Sequence, residues 1–448
     1  MMNHPLITNV ERDPKALKPF PDNPRKHPKK QIAQLERNMG RFGPTNPAII
    51  DECDTILAGH ARIEVAINLG LTTYPCRRIE GLSAAEKKTI LIDDNASGLN
   101  ATWDDDLLIA KIAEIRIEEP GLIDLIGIEP VVIEQMEVSL VPEDKDGDPA
   151  DDILPDDGSD VTAPGDVWSC GEHRILCGDS LRQESFERLL KGELAETVFG
   201  DAPYNLAING HVSGLGKVRH KEFSYASGEM DADTFTNFLA TAFGHLVRYS
   251  TDGSVHYLCM DWRHIRELQD AADRHYTTLL NLAVWDKGVG AMGSLYRSRH
   301  ELVFVYKSGN ASHLNNVQLG KHGRNRSNVW QYRGLAGFSK GRQEQLAAHP
   351  TAKPVQMIAD TLRDCSRRGG IVLDPFGGFG STMIAAERTG RKARLIEIDP
   401  IYVDRTIRRW QAIAKEDAIH VATGETFAER EKRLTKTTSN NMEGSGDA

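Results

Sequence analysis

The stretch Ile371-Val-Leu-Asp-Pro-Phe-Gly-Gly-Phe-Gly-Ser-Thr382 decides the fold, because it reads as a short apolar strand, a glycine-rich turn and the start of a helix. Glycines let the backbone approach a bound nucleotide closely, and the first turn of a helix offers free N–H groups. Glu397 stands 19 residues after Gly378, where an acid suits the two hydroxyls of a ribose. The stretch predicts a nucleotide site, and the absence of a Gly-Lys-Ser/Thr sequence here argues against ATP hydrolysis.

A second strand end, Thr197-Val-Phe-Gly-Asp-Ala-Pro-Tyr-Asn205, carries groups suited to a nucleobase amine. The Asp201 carboxylate and the Ala202 carbonyl can both accept N–H bonds from an exocyclic amine. They would fix its nitrogen and raise the electron density there, which favours methyl acceptance. Tyr204 offers an aromatic face for a base that has left the duplex. Taken alone, the same residues are also consistent with a simple turn.

Apolar, β-rich segments alternate with helix-like segments from about residue 165 to residue 422. Several of these segments are continuously apolar, which is typical of strands buried on both faces of a doubly wound sheet. Residues 1–138 instead suggest a small α+β domain, with a hairpin around Asp51-Glu-Cys-Asp54 and a helix that opens at Gly59. The sequence therefore predicts a small α+β domain followed by a larger, doubly wound α/β domain.

Charge is unevenly distributed along the chain. The 448 residues carry 54 Lys and Arg against 65 Asp and Glu, a net charge of −11. Residues 142–166 hold ten acids and one Lys, so −9 belongs to this segment and −2 to the rest. Because like charges repel and apolar residues are few, we expect residues 139–164 to form an extended, flexible linker. The polar residues 423–448 are expected to be a disordered tail.

The stretch from Leu302 to Gln343 has the opposite charge, with seven Lys or Arg and no acid. Such a stretch can bind a polyanion, although a solvated basic loop would have the same composition. The sequence contains no run of about 18 apolar residues, no signal peptide and no Cys-x-x-Cys pair. A membrane span, secretion and a structural metal are therefore not expected, and the composition indicates a cytoplasmic protein.

Together the two strand-end motifs resemble those of the amino-methylating DNA methyltransferases that use S-adenosylmethionine. Asp201-Ala-Pro-Tyr204 is similar to their Asp-Pro-Pro-Tyr catalytic motif, with Ala202 in place of the first Pro. Phe376-Gly-Gly-Phe-Gly380 is similar to their Phe-x-Gly-x-Gly cofactor motif, and His349-Pro-Thr-Ala-Lys-Pro354 to a box of their β class. The resemblance covers about residues 165–412 and implies a Rossmann-like sheet in a domain of residues 165–422.

The resemblance also implies which residues act. Catalysis would fall to Asp201, Ala202, Pro203 and Tyr204. The cofactor contacts would be Asp179, Lys353, Asp374, Phe376, Gly378, Gly380, Ser381, Thr382 and Glu397. Target recognition would lie at about residues 308–348, within the basic stretch. The candidate contacts to double-stranded DNA are Lys217, Arg219, Lys321, Arg324 and Arg326.

The N-terminal domain shows a second resemblance. Asn23-Pro-Arg-Lys-His27 and Leu57-Ala-Gly-His-Ala-Arg62 are similar to the two boxes of the ParB-like (sulfiredoxin-type) domain. In that superfamily the Gly-His-x-Arg turn lies near a nucleotide phosphate or DNA. The helix start at Gly59 and the charge of Arg62 suit an anion. A DNA-binding or docking module without a nucleotide fits the same residues.

These resemblances predict a site-specific DNA methyltransferase, of the kind found in restriction–modification systems, that methylates the N6 amine of adenine. Asp201 favours adenine, because cytosine-N4 members more often carry Ser there. Cytosine-C5 methylation is disfavoured, since the only Pro-Cys pair, Pro75-Cys76, lies outside the catalytic domain. Two alternatives stay open: cytosine-N4 methylation, and a non-catalytic DNA-binding partition or regulatory protein on a degenerate methylase fold.

Overall fold

The computed structural model describes residues 5–21, 23–96, 103–139, 148–153, 158, 160–205, 228–288, 295–319, 326–333 and 353–443. The chain divides into two compact units, Met1–Pro142 and Glu143–Ala448. Each unit has its own β-sheet.

The first unit is a small sheet with helices, as the sequence predicts. Its strands are β1 (Leu6–Arg12), β2 (Ala48–Asp51), β3 (Ile56–Ala58) and β4 (Tyr74–Glu80), in the spatial order β1-β4-β2-β3. Its helices are α1 (Lys29–Phe42), α2 (His60–Asn68), α3 (Ala84–Ala96), α4 (Asp105–Glu118) and α5 (Pro130–Ser139). The predicted hairpin is confirmed, because β2 and β3 pair antiparallel. Gly59 precedes α2 with a φ of 98°, a left-handed conformation that glycine adopts without strain.

The second unit is built on a ten-stranded sheet. Its strands are β5 (Val167–Cys170), β6 (His173–Cys177), β7 (Ala195–Gly200), β8 (Ser250–Met260), β9 (Thr278–Asp286), β10 (His300–Lys307), β11 (Val329–Gln331), β12 (Ile371–Asp374), β13 (Lys392–Glu397) and β14 (Ile419–His420). Its helices are α6 (Gln183–Leu190), α7 (Ala232–Arg248), α8 (Ile265–Ala272), α9 (Val355–Cys365), α10 (Ser381–Thr389), α11 (Pro400–Ala414) and α12 (Phe427–Glu443).

The order of these strands sets the geometry of the second unit. It runs β11-β9-β10-β8-β7-β12-β13-β6-β5-β14. The central strands β8, β7, β12, β13 and β6 are mutually parallel, whereas β10 runs antiparallel to both β8 and β9. Successive residues of β7 belong to different cores, since Val198 packs in one apolar cluster and Phe199 in the other. The sheet is therefore covered on both faces, as predicted for a doubly wound α/β fold.

The acidic segment differs from the expected flexible linker from residue 148 onward. Asp151 accepts a hydrogen bond from the first N–H of α9 at 3.1 Å and lies 3.5 Å from the buried guanidinium of Arg409. Asp404 accepts hydrogen bonds from the backbone N–H groups of Val161 and Thr162. The prediction is wrong for this part because the composition shows only that the acids repel one another. It does not show the cations and N–H donors of the folded unit with which those acids pair.

The prediction of a disordered tail for residues 423–448 is also wrong over most of that range. Residues 427–443 form α12, and the Phe427 side chain is 2% exposed, with its ring 5.2 Å from that of Trp168. Arg430 lies 2.6 Å from Asp166. The Phe427 ring, this ion pair and a second one between Glu431 and Arg408 at 2.7 Å thus hold a helix whose polar sequence gave no sign of a core position.

We expect a fragment that begins at Glu143 to be more stable than one that begins at Ala163. The shorter fragment lacks Asp151 and the Ala150 carbonyl, which accepts from Arg409 at 2.9 Å. Removing the carboxylate partner and one carbonyl partner of the buried Arg409 charge should cost about 3–5 kcal/mol. Urea unfolding measures the difference, with Asp151→Ala in the full chain as the matched substitution. Equal unfolding midpoints for both fragments would show that the segment merely lies on the surface.

Candidate active site

Two turns at one edge of the ten-stranded sheet form the centre of the candidate site. β7 and β12 are parallel neighbours, so their carboxyl ends lie side by side. Asp201 directly follows β7, and the glycine-rich turn follows the last residue of β12, Asp374. A Cβ atom on Gly200 would lie 3.9 Å from the Pro375 ring, which shows how close the two turns are. The structure brings the predicted catalytic and cofactor turns together where open α/β sheets place their ligands.

β10 brings a further carboxylate to this edge. Because β10 is antiparallel to β8, and β8 is parallel to β7, the start of β10 lies beside the ends of the other two strands. Glu301 is the second residue of β10. Its side chain therefore reaches the turn that holds Asp201 and Tyr204.

A buried lysine joins the two carboxylates. The Lys353 side chain is 3% exposed, and its Nζ lies 2.7 Å from Asp201 Oδ2 and 3.1 Å from Glu301 Oε2. The Tyr204 hydroxyl lies 2.7 Å from Asp201 Oδ1 and 3.1 Å from Glu301 Oε2. Lys287 forms an ion pair with the other oxygen of Glu301. Two lysines and two carboxylates thus balance in charge around one tyrosine hydroxyl.

The two carboxylates of this cluster have different proton affinities. Burial raises the pKa of Asp201, and the positive charge of Lys353 only partly opposes this. Burial would also raise the pKa of Glu301, but Lys353 and Lys287 together outweigh it and lower the pKa to about 2. Asp201 is consequently the more basic carboxylate and the better hydrogen-bond acceptor. Burial would lower the pKa of Lys353, yet the two acids raise it, so the ammonium stays charged.

The glycine-rich turn has a geometry that only small residues permit. Gly380 has a φ of 75°, and a Cβ on it would lie 2.5 Å from the Thr406 side chain. The Asp374 carboxylate accepts from the Phe376 N–H at 3.0 Å and from the Thr382 hydroxyl at 2.6 Å. Burial raises the pKa of Asp374 to about 7 despite these bonds. The turn is therefore fixed from both sides before α10 begins at Ser381.

The strand after α10 ends in a carboxylate that fits a ribose. Glu397 closes β13 and accepts from the backbone N–H groups of Gly378 at 2.8 Å and Asp399 at 2.9 Å, one on each oxygen. Each oxygen keeps a second lone pair, so the side chain can accept two more hydrogen bonds. Asp179 lies beside it, because the Gly178 N–H donates to the Glu397 carbonyl at 2.8 Å. The donor and acceptor set fits a nucleoside that bridges the ends of β6 and β13.

Some predicted residues have other surroundings than expected. Lys353, predicted to contact the cofactor, lies against Asp201 in the catalytic turn. Arg326, predicted to contact DNA, places Nε 2.7 Å from Asp364 and Nη1 3.8 Å from Asp360, both on α9. In the structure Arg326 thus neutralises two helix acids. The other four predicted DNA contacts, Lys217, Arg219, Lys321 and Arg324, lie outside the described residues.

Sequence reasoning missed Glu301 and Lys287. The signal for Glu301 was an acid at the start of an otherwise apolar strand, Glu301-Leu-Val-Phe-Val-Tyr306. Its meaning depends on the direction of β10 relative to β7, which the sequence alone does not give. Lys287 follows β9 and pairs with Glu301 across the β9–β10 hairpin.

The described residues contain neither a candidate metal site nor a candidate membrane span. No group of three His, Cys, Asp or Glu side chains among these residues is arranged to hold a metal ion. In the same part of the chain, no helix is both long enough and apolar enough to cross a membrane.

Comparison with known proteins divides along the two units. The DNA methylase (N6/N4) family model matches residues 195–408. The type II methyltransferase M.ScaI of Streptomyces caespitosus is 34% identical over 93 residues, which are 21% of this chain and 31% of that protein. The type II methyltransferase M2.DpnII of Streptococcus pneumoniae is 24% identical over 235 residues, 50% of this chain and 85% of that protein. The chain thus spans only about a third of M.ScaI.

The first unit has a relative of its own. The ParB-like nuclease domain-containing protein YnaK of Escherichia coli K12 is 38% identical over 79 residues, which are 18% of this chain and 91% of that protein. Both resemblances seen in the sequence are therefore confirmed. Residues 195–408 form an amino-methylating N6/N4 DNA methylase domain, and the chain carries a ParB-like domain in its N-terminal region.

Proposed function

We propose that this chain transfers a methyl group from S-adenosylmethionine to the exocyclic amine of a base in DNA, with adenine N6 as the target. The observation that carries the proposal is the adjacency of the two turns after the parallel strands β7 and β12. One turn presents Asp201 as an acceptor for an amine. The other is a glycine-rich turn that a cofactor can approach closely, next to the Glu397 carboxylate that suits a ribose. A methyl donor and a methyl acceptor held at these turns would be neighbours.

The residues of the glycine-rich edge would hold the cofactor. Glu397 would accept from the ribose hydroxyls, Asp179 would lie at the adenine, and Gly378, Gly380, Ser381 and Thr382 would form the turn and helix start beside it. When bound, S-adenosylmethionine supplies a methyl group on a positively charged sulfur. Phe376, partly buried against the apolar cluster of α7, would line the same edge.

The catalytic turn would act on the target amine. Its nitrogen is a weak nucleophile because its lone pair is delocalised into the base. Asp201 and the Ala202 carbonyl would accept its two N–H bonds, and Pro203 would stiffen the turn between them and Tyr204. As the nitrogen bonds to a fourth atom it becomes positive, so a fixed carboxylate stabilises it most at that moment. One N–H proton must then leave, and Asp201 is the basic group within reach.

Asp201→Ala should reduce the single-turnover methylation rate by on the order of 100- to 1,000-fold, because it removes a preorganised acceptor. Tyr204→Phe should be mild, because it keeps the ring face for stacking and loses only the hydroxyl that donates to Asp201. Tyr204→Ala should also lose base stacking of about 1–3 kcal/mol. Cofactor binding, measured by calorimetry, is the control and should be unchanged in all three. A normal rate for Asp201→Ala would show that the turn is structural.

The target atom is tested by the product. DNA without prior amino-methylation is incubated with the protein and methyl-labelled S-adenosylmethionine, digested to nucleosides and separated. We expect label in N6-methyldeoxyadenosine. Label in N4-methyldeoxycytidine would support amino-methylation and contradict the adenine assignment. Unlabelled DNA would favour the non-catalytic DNA-binding alternative.

Contact with DNA is proposed for Lys217, Arg219, Lys321 and Arg324, the basic residues of the loop after the catalytic turn and of the recognition stretch. Arg324→Ala should weaken DNA binding by about 1–3 kcal/mol for a base contact, or lower the salt dependence for a phosphate contact. Arg326→Ala is the matched variant two residues away. It should leave DNA affinity nearly unchanged and lower the free energy of unfolding by about 3 kcal/mol, because Asp364 loses its partner. The reverse pattern would place recognition at Arg326.

The ParB-like unit would contribute a second anion contact, to a nucleotide phosphate or to DNA. Gly59 leads into α2, and a Cβ on it would lie 3.2 Å from the Arg62 guanidinium, so this cation lies over the helix start. Helix N–H groups and a guanidinium together suit a phosphate.

A further inference from the structure

Glu301 shares its partners with Asp201. Asp201 has a donor on each oxygen, Tyr204 on Oδ1 and Lys353 on Oδ2. Glu301 Oε2 lies 3.1 Å from both of the same donor atoms. The tyrosine hydroxyl has one proton and can serve only one carboxylate at a time, whereas the ammonium can serve both.

The shared donors matter because each donor held by Asp201 draws electron density from its carboxylate and so weakens Asp201 as an acceptor for the target amine, even though each oxygen keeps a second lone pair. If Tyr204 turns its proton to Glu301, Asp201 Oδ1 is released and the phenol still has an acceptor. If Lys353 moves toward Glu301, Oδ2 is released and the buried ammonium stays paired. Neither exchange leaves a buried donor unsatisfied, and an unsatisfied donor is what would make the exchange costly.

Lys287 sets how strongly Glu301 competes. It pairs with Glu301 Oε1, the oxygen turned away from Tyr204 and Lys353, and its Nζ lies 4.9 Å from the centre of the Trp285 ring. Its charge reduces the attraction of Glu301 for Lys353. Removing Glu301 and removing Lys287 should therefore change the cluster in opposite directions.

We propose that Glu301 is a positioning residue, which draws Tyr204 and Lys353 away from Asp201 and so makes Asp201 a stronger acceptor for the target amine. This rests on the proposed function. The titratable and charged groups that interact with Asp201 are Lys353, Glu301, Tyr204, Cys259 and Asp374, and Lys287 interacts with Glu301. Of these, Glu301 is the carboxylate that contacts both donors of Asp201.

The test is the pH dependence of single-turnover methylation of unmethylated DNA by the full chain. Below the pKa of Asp201 the acceptor is protonated and the rate falls, which gives the acid limb. Glu301→Gln removes a negative charge near Asp201, so the limb should move to lower pH by about one unit. The plateau rate should fall about tenfold, because both donors then stay on Asp201. Lys287→Met removes a positive charge, so the limb should move to higher pH.

Glu172→Gln is the matched control, since Glu172 is an exposed carboxylate paired with Lys392 away from the site. It should leave both the limb and the plateau as in the unmodified chain. An active chain in which Glu301→Gln slows the reaction without moving the limb would reduce Glu301 to a packing role and overturn the positioning proposal alone. An inactive unmodified chain that still binds S-adenosylmethionine would overturn the proposed function, and the positioning role with it.

Discussion

The buried ammonium of Lys353 is the constraint on which the candidate site depends. An unpaired charge in a site that is almost closed to water is far more costly than a paired one, so the fold must supply carboxylates at contact distance. It supplies two, Asp201 and Glu301, from strands that are far apart in the sequence. The lysine therefore links the turn that holds Asp201, the start of β10 and the segment that leads into α9. A change at any of these three places alters the electrostatics of the other two.

Strand direction makes this convergence possible. A fully parallel sheet would place the start of β10 at the far edge, away from Asp201. Because β10 is antiparallel to β8, its first residues lie with the carboxyl ends of the parallel strands β7 and β12. The same edge thus receives strand ends from the parallel half and a strand start from the antiparallel half. The proposed chemistry at this edge therefore uses a glycine-rich turn of the kind that doubly wound parallel sheets provide. It also uses the Glu301 carboxylate, which the parallel strands alone would not provide.

Local features were predictable from the sequence, and long-range ones were not. The strand–turn–helix at Ile371–Thr382, the hairpin of the first unit and the acid at Glu397 all rest on residues within about 20 positions of one another, where spacing fixes geometry. The partners of Lys353 and Arg326 depend on which strands and helices become neighbours. Lys353 was assigned to the cofactor and Arg326 to DNA because each was read beside its sequence neighbours, whereas each one's carboxylates come from elsewhere in the fold.

The acidic segment also has partners that come from distant parts of the sequence, and these partners lie beside the glycine-rich turn. Arg409 donates to the Phe379 carbonyl within the turn and to the Ala150 carbonyl in the segment, both at 2.9 Å. Asp151 lies 3.5 Å from the same guanidinium, and burial raises the pKa of this carboxyl to about 6. One cation therefore holds the glycine-rich turn and the chain that arrives from the ParB-like unit. The composition predicts that this segment is a spacer, but its Asp151 is paired with a guanidinium that also supports the glycine-rich turn. Loosening the acidic segment would remove support from the glycine-rich turn. The sequence of the segment is therefore constrained by the site as well as by the distance that the segment spans.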